Sequence, residues 1–361
     1  MKSHICLVLL LALLTIAFGI PALGETFSKD GFTYEYMRDG NLRLIKYENK
    51  QERGTVYIPD TIDGHHVECI GEYAFDGCKM SKVTIPETVW EIETFAFNDC
   101  KEIQKITIPN GVYHIDGNPF TGCTKLTNIS VDMNHETLRI TSDGVLYSKM
   151  NKMILCYPCT KTNTEYTVYE NTLKIGRNAF AGCETLKKII LPETVTEIGS
   201  EAFYGCKNLS AIRLPESLLS MDEMVFAGCF SLSNIVIPSK VSRIEKSAFF
   251  NCTKLSSVKL PENLTVINDR AFFGCKSLEK VNLPFNVNTV GEQAFYGCKN
   301  LSHVKIPPTT TKIGAAAFDD CSVNLHVQMD EHSYAWIYAK INDLSGVYSY
   351  NESDPNDFLK N

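Results

Sequence analysis

Apolar and polar positions alternate in short bursts along this chain, and each burst stops at a proline. Ile189 and Leu191 precede Pro192, Ile212 and Leu214 precede Pro215, Ile235 and Ile237 precede Pro238, and Val258 and Leu260 precede Pro261. Alternation over so few residues predicts a short strand, and proline, which has no N–H, ends its hydrogen-bond ladder. A second apolar step follows, as in Val195-x-x-Ile198, and predicts a shorter strand on the far side of a coil. An Ala-Phe pair comes next and is expected to lie within one helical turn. The residue two places after the phenylalanine is Gly77, Asp99, Gly122, Gly182, Gly205, Gly228, Asn251, Gly274, Gly297 or Asp320. Glycine, asparagine and aspartate tolerate a left-handed backbone, so this slot is expected to close the turn at positive φ.

The bursts recur at a fixed interval. A cysteine follows each of those ten residues, and the successive gaps are 22, 23 and 60 residues, then 23 six times over. The nine-residue string AFYGCKNLS occurs twice, at Ala202–Ser210 and Ala294–Ser302. A constant period of this length means a solenoid in which each copy packs only on its neighbours. Phenylalanine keeps its place in every copy from Phe75 to Phe318, which predicts a continuous stack of rings through the core.

The pattern I-G-x-x-A-F-x-G-C-x-x-L-x-x-V-x-I-P-x-x-V, repeated from about Val56 to Val327, resembles the BspA-like leucine-rich repeats of bacterial and some protist surface proteins. The resemblance implies a β-rich leucine-rich-repeat solenoid, a curved right-handed superhelix with a parallel sheet on its concave face and short helical turns. It also implies adhesion to host matrix or to other cells, and it brings no catalytic residues.

The expected organisation is a signal peptide over 1–24, a hairpin cap over 25–55, the solenoid over 56–327, and a C-terminal cap with a polar tail over 328–361. Lys2, the apolar run Ile5–Ile20 and the small residues around Ala22 carry the signal-peptide expectation. The 60-residue gap contains an island at about 132–168, where Gly144–Tyr147 and Met153–Tyr157 predict a hairpin around Ser148–Lys152. Tyr166–Val168 then fits the strand slot of the next copy. Phe32–Tyr36 with Leu42–Tyr47 predicts a hairpin over the first coil. Tyr334, Ile337, Tyr338 and Ile341 predict one face of a short helix, with a strand at Val347–Tyr350.

Composition narrows the function. The 361 residues are 44% hydrophobic and carry a formal charge of −7, or −8 once Lys2 is removed, which disfavours nucleic acid or an anionic membrane as partner. No stretch after the leader is long enough for a transmembrane helix. A secreted or cell-surface-associated location, and a monomer, are expected.

The cysteines pose the chemical question. Coils in register lie about 4.8 Å apart, wider than the roughly 3.8 Å between the Cβ atoms of a disulfide. The ladder is therefore expected to hold free, buried thiols acting as small hydrophobes, with serine at such a rung worse than alanine because its hydroxyl would be unpaired. Cys69, Cys156 and Cys159 lie outside the ladder. The C-x-x-C at Cys156/Cys159 falls at a strand end without a helix dipole, so a local disulfide or two free thiols is expected, with a thiol oxidoreductase as the alternative. His65 and His66 would point to opposite faces of a strand and are read as a solvated loop pair. Neither a metal nor a cofactor is expected, and no hydrolase, phosphate-loop or zinc-protease motif occurs. Sequons at Asn128, Asn208, Asn251, Asn263, Asn300 and Asn351 arise mostly because the repeat favours N-x-S/T.

Two surfaces remain. Lys82, Lys105, Lys188, Arg213, Lys259, Lys280 and Lys305 supply a basic row on the concave face, beside an acidic row of Glu87, Glu193, Glu216 and Glu262. Within it Ile190, Arg213 and Val236 replace the usual polar residues, either as an interaction centre for a protein or glycoprotein ligand, with Lys188 and Lys259 beside it, or through strand propensity alone. Tyr204, Phe250, Phe273 and Tyr296 form a secondary stripe, read as packing or as a sugar platform. The leading function is non-enzymatic protein binding or adhesion. An envelope scaffold with no specific ligand is the alternative.

Overall fold

A computed structural model describes residues 22–322, 326–328, 333–341 and 347–348. The signal-peptide segment therefore lies almost wholly outside the described residues, as does most of the polar tail. The chain divides into two compact units, the first ending at Thr160 and the second starting at Lys161.

The first unit opens with an antiparallel meander of Thr26–Lys29, Phe32–Tyr36 and Leu42–Tyr47, one strand more than the expected hairpin. Leu42–Tyr47 then pairs in parallel with His65–Ile70, which continues into the two-residue strands Glu91–Ile92 and His114–Ile115. The histidine pair thus lies in a strand and not in a loop, with the His65 ring edge-on to Tyr36. Three-residue strands form separate parallel pairs, Thr55–Tyr57 with Lys82–Thr84 and Lys105–Thr107 with Asn128–Ser130. The island is a three-stranded antiparallel meander of Leu138–Ile140, Leu146–Ser148 and Met153–Cys156, which contains the expected hairpin.

The second unit repeats the same coil. Glu165–Thr167, Lys188–Ile190 and Ala211–Arg213 pair in parallel, as do Asn234–Val236 and Ser257–Lys259. Lys280–Asn282, His303–Lys305, His326–Gln328 and Val347–Tyr348 make a third set. Within the repeats partners lie one period apart, so Lys188 faces Ala211. The central residue of most strands is buried and its neighbours are exposed, which is the alternation visible in the sequence. Two-residue strands such as Glu197–Ile198 and Ser220–Met221 line the other side of the coil.

The corner between the two strands is a run of turns and not the helical turn expected. Its backbone donors alternate in direction. Glu201, Phe203 and Gly205 donate to the carbonyls of Glu223, Val225 and Ala227 in the next coil, at 2.9, 3.0 and 2.8 Å. Between them Ala202, Tyr204 and Cys206 close local turns on Gly199, Glu201 and Phe203. All ten residues before the ladder cysteines have positive φ, as expected. A second left-handed slot lies four residues earlier, at Tyr73, Phe95, Asn178, Glu201, Met224, Ser247, Arg270, Gln293 and Ala316. The phenylalanines stack as expected, with Phe203, Phe226, Phe249, Phe272, Phe295 and Phe318 buried at ring separations of 5.1–5.4 Å and interplanar angles of 4–12°.

The helix Tyr334–Ile341 forms as expected, but Tyr334, Ile337 and Ile341 on it are exposed. Only Tyr338 among the four reaches the repeats in a hydrogen bond, its hydroxyl accepting from the Ala317 N–H at 3.2 Å. No helix among the described residues is long and apolar enough to cross a membrane.

Candidate functional site

The strand register decides how the exposed residues group. Lys82, Lys105, Lys188 and Lys280 hold the first position of their strands, whereas Arg213, Lys259 and Lys305 hold the third. The single basic row is thus two columns, one along each edge of the three-residue strands. The residues after the prolines tie coils together: Glu87 accepts from the Gly111 N–H at 3.0 Å, and Glu193 from the Glu216 N–H at 3.1 Å.

In the second unit Ile190 and Arg213 are register partners, and so are Val236 and Lys259. Ile190 is 40% exposed and Val236 55%. The strands that carry Arg213 and Val236 belong to different sheets, so the ladder stops between the two pairs. Arg213 is exposed and ion-paired with Glu193. Lys188 lies 3.6 Å from Glu165. This places a guanidinium with its counter-charge beside two apolar side chains that stand in water.

The secondary stripe is shorter than expected. Phe250, Phe273 and Tyr296 stack at 4.9 and 5.0 Å, half-buried between coils. Ala227 occupies the slot between Tyr204 and Phe250, so the exposed Tyr204 stands outside that stack.

The thiol ladder has a feature beyond burial. In five consecutive rungs the Sγ–H donates to the carbonyl of the phenylalanine in the preceding coil: Cys206 to Phe180, Cys229 to Phe203, Cys252 to Phe226, Cys275 to Phe249 and Cys298 to Phe272, at 3.0–3.2 Å. The same carbonyl accepts the cysteine N–H of its own coil, as Phe226 does from Cys229 at 3.0 Å. Burial pushes the Cys206 thiol up to about 12 and raises Cys252 still further. Such thiols are inert as nucleophiles.

Two expectations about cysteine change. Cys183, a rung of the ladder, is disulfide-bonded. The C-x-x-C is neither a local disulfide nor two free thiols, because Cys156 is free and Cys159 is disulfide-bonded. Cys156 is buried, and desolvation pushes its thiol up to about 12, the reverse of what a dithiol oxidoreductase needs. The serine expectation also changes, since the Phe226 carbonyl would accept from a hydroxyl at position 252. Cys252→Ala is expected to cost about 1–2 kcal/mol through its small cavity, and Cys252→Ser no more than that, as read from urea midpoints.

A charged cluster in the first unit was not legible in the sequence. Arg43 holds Glu93 through two bonds, Nε to Oε1 at 2.7 Å and Nη2 to Oε2 at 2.6 Å, and reaches Glu35 at 2.9 Å. The Cys69 Sγ lies 3.5 Å from Glu93. Cys69, Glu91 and Glu93 have ligand atoms within 4.8 Å of one another, but the guanidinium already neutralises Glu93 and opposes a cation there.

A family model described as BspA type leucine rich repeat region matches residues 55–160, 155–276 and 220–335. The crystal structure of a leucine-rich repeat protein from Eubacterium ventriosum is similar over 83% of this chain and 96% of its own, with 23% identity and a TM-score of 0.63, a likeness of fold. The pneumococcal vaccine antigen PcpA aligns over 92% of this chain and 100% of its own at 16% identity and a TM-score of 0.48. A leucine rich cell surface protein from Faecalibacterium prausnitzii aligns over 87% and 97%, at 22% identity and a TM-score of 0.41. No curated protein matches the chain. With more than half of its length matched by that model, the chain belongs to the BspA-type leucine-rich repeat family.

Proposed function

We propose that this chain is a non-catalytic, secreted or surface-associated protein that binds a protein or glycoprotein partner through its three-residue strand face. One observation carries the reading: Ile190 and Val236, both β-branched and exposed, flank Arg213 where neighbouring coils offer polar residues. Exposed apolar side chains around an arginine match the centre of an interaction surface better than a solvated sheet. Leucine-rich repeat domains usually bind proteins and are typically non-catalytic, which supports the same view. The Arg213–Glu193 pair keeps the guanidinium oriented before a partner arrives, which lowers the ordering cost of association.

The test is a surface binding assay of the mature protein against matrix and cell-surface glycoproteins. An Ile190→Asp, Arg213→Glu, Val236→Asp variant is expected to keep its circular dichroism and melting temperature. It should lose at least about tenfold in affinity, or about 1.4 kcal/mol. Unchanged affinity in the folded variant would move the site to the stripe of Phe250, Phe273, Tyr296 and Tyr204. A wild type with no saturable ligand would favour the scaffold role.

A further inference from the structure

The three-residue strand face of the first unit is interrupted. Lys82–Thr84 belongs to one two-stranded sheet and Lys105–Thr107 to another, and a groove of about 780 Å³ opens where the two meet. Its volume lies in the range of small-ligand sites. Lys82, Thr84, Glu87, Gln104, Lys105 and Thr107 line it. Val83, Ile85 and Pro109 form the apolar part of the lining, and the polar side chains beside them offer ammonium, hydroxyl and amide groups and the Glu87 carboxylate.

The charges are asymmetric. Lys82 and Lys105 hold the same strand position in successive coils, and neither has an ion-pair partner among the described residues. Lys188, at the same position in the second unit, has Glu165 beside it at 3.6 Å. Glu87, the one acid of the lining, is held on the Gly111 N–H of the coil wall. Tyr57 faces Thr84 in register and is 70% exposed.

We infer that this groove binds a carboxylate-bearing sugar unit of an acidic glycan. The two ammonium groups take the carboxylate. Gln104, Thr84 and Thr107 supply donors and acceptors for ring hydroxyls. The Tyr57 ring offers an aromatic surface for the apolar face of a pyranose. An acidic peptide is the competing occupant, since the groove lies between two strands of separate sheets and carries Val83, Ile85 and Pro109; the Thr84, Thr107 and Gln104 side chains beside the two ammonium groups favour the saccharide. The site is independent of the Ile190–Val236 surface.

Isothermal titration of the mature full chain tests it with two acidic probes, a hyaluronate hexasaccharide and sialyllactose. The controls are the carboxyl-reduced hexasaccharide, lactose and tetraglutamate. At least one acidic saccharide is expected to bind saturably, its neutral counterpart and tetraglutamate at least about tenfold more weakly. Binding should weaken as salt rises. Lys82→Gln with Lys105→Gln should lose at least about tenfold, the double arginine variant should stay within about threefold, and Tyr57→Ala should lose about threefold or more. The arginine variant and the salt series carry the test if the glutamine variant fails to fold. The Ile190→Asp, Arg213→Glu, Val236→Asp variant should bind the saccharide as the wild type does, so that failure at one surface is separable from failure at the other. Binding of neither acidic probe, equal binding of a neutral control, tighter binding of tetraglutamate, or full affinity in the folded glutamine variant would each overturn the assignment.

Discussion

Replacing Phe249 by alanine is expected to cost about 4 kcal/mol, the range of a large ring deleted from a core that cannot collapse around the hole. The ring is fully buried and lies 5.4 Å from Phe226 and 5.2 Å from Phe272, nearly parallel to both. Its removal leaves two neighbours facing a void and breaks two ring pairs, each worth roughly 0.5–1.5 kcal/mol beyond burial. The backbone at the corner is itself bonded to the adjacent coils, Phe249 to the Ala271 carbonyl at 2.8 Å, so the coils cannot close the gap by sliding together. Nearest-neighbour coupling then weakens on both sides of one coil, and the urea transition should broaden or split at that point. Phe249→Leu, which refills much of the volume, should cost less than half as much. A loss under about 2 kcal/mol for alanine would show that the rings fill space without coupling the coils.

The second large effect sits at Arg43. Arg43→Met keeps most of the apolar stem and removes the fork that holds Glu93 and Glu35, at an expected cost of about 2 kcal/mol near neutral pH. Burial alone would push the Glu93 carboxyl up, but the Arg43 bonds outweigh it and hold the group below its ordinary 4.5. A depressed value in the folded state means stabilisation present above 4.5 and lost as pH falls through the folded value. Without Arg43 burial is opposed only by the Glu72 N–H and the Cys69 thiol, so the carboxyl rises relative to the wild type and less of the stabilisation depends on its ionisation. The gap between wild type and variant, measured by urea titration at a series of pH values, should therefore be widest near neutrality and narrow on acidification below 4.5. A gap independent of pH would assign the loss to packing of the arginine stem.

These two positions differ in how far the sequence announced them. Phe249 belongs to a slot filled by one residue type in every copy, and a slot of that kind declares both its burial and its stacking. The left-handed residue before each cysteine was equally open to inspection, because glycine, asparagine and aspartate share one backbone property. The other left-handed slot was closed to it. Tyr73, Met224, Arg270 and Gln293 share no such property; their backbone is set by the alternating corner bonds, which act on the main chain whatever side chain it carries. Asn118 shows the limit of that rule, since Pro119 follows it and it is absent from the positive-φ set.

The candidate surface divides the same way. Alternation identified Ile190, Arg213 and Val236 as outward, yet it treated both outward positions of a strand as equivalent and merged two columns of cations into one. Only register separates them. The bonded states of Cys159 and Cys183 were hidden because the spacing argument compared neighbouring rungs, and Cys159 lies off the period. Arg43 was hidden for a related reason: it comes from the segment before the repeats and meets an acid that most coils do not place there.

The alternating bonds at the corners also bear on mechanics. In each unit they run from one coil to the next, so a pull along the stacking direction loads them in series. A parallel pair of strands sheared along its length must break all its bonds together, whereas a stack loaded in this way yields its weakest junction first. Each yielding coil then releases about 23 residues of slack, at up to roughly 3.3–3.6 Å per residue. Under tension the regular coils of the second unit would lengthen in equal steps, as an extensible tether rather than a rigid strut.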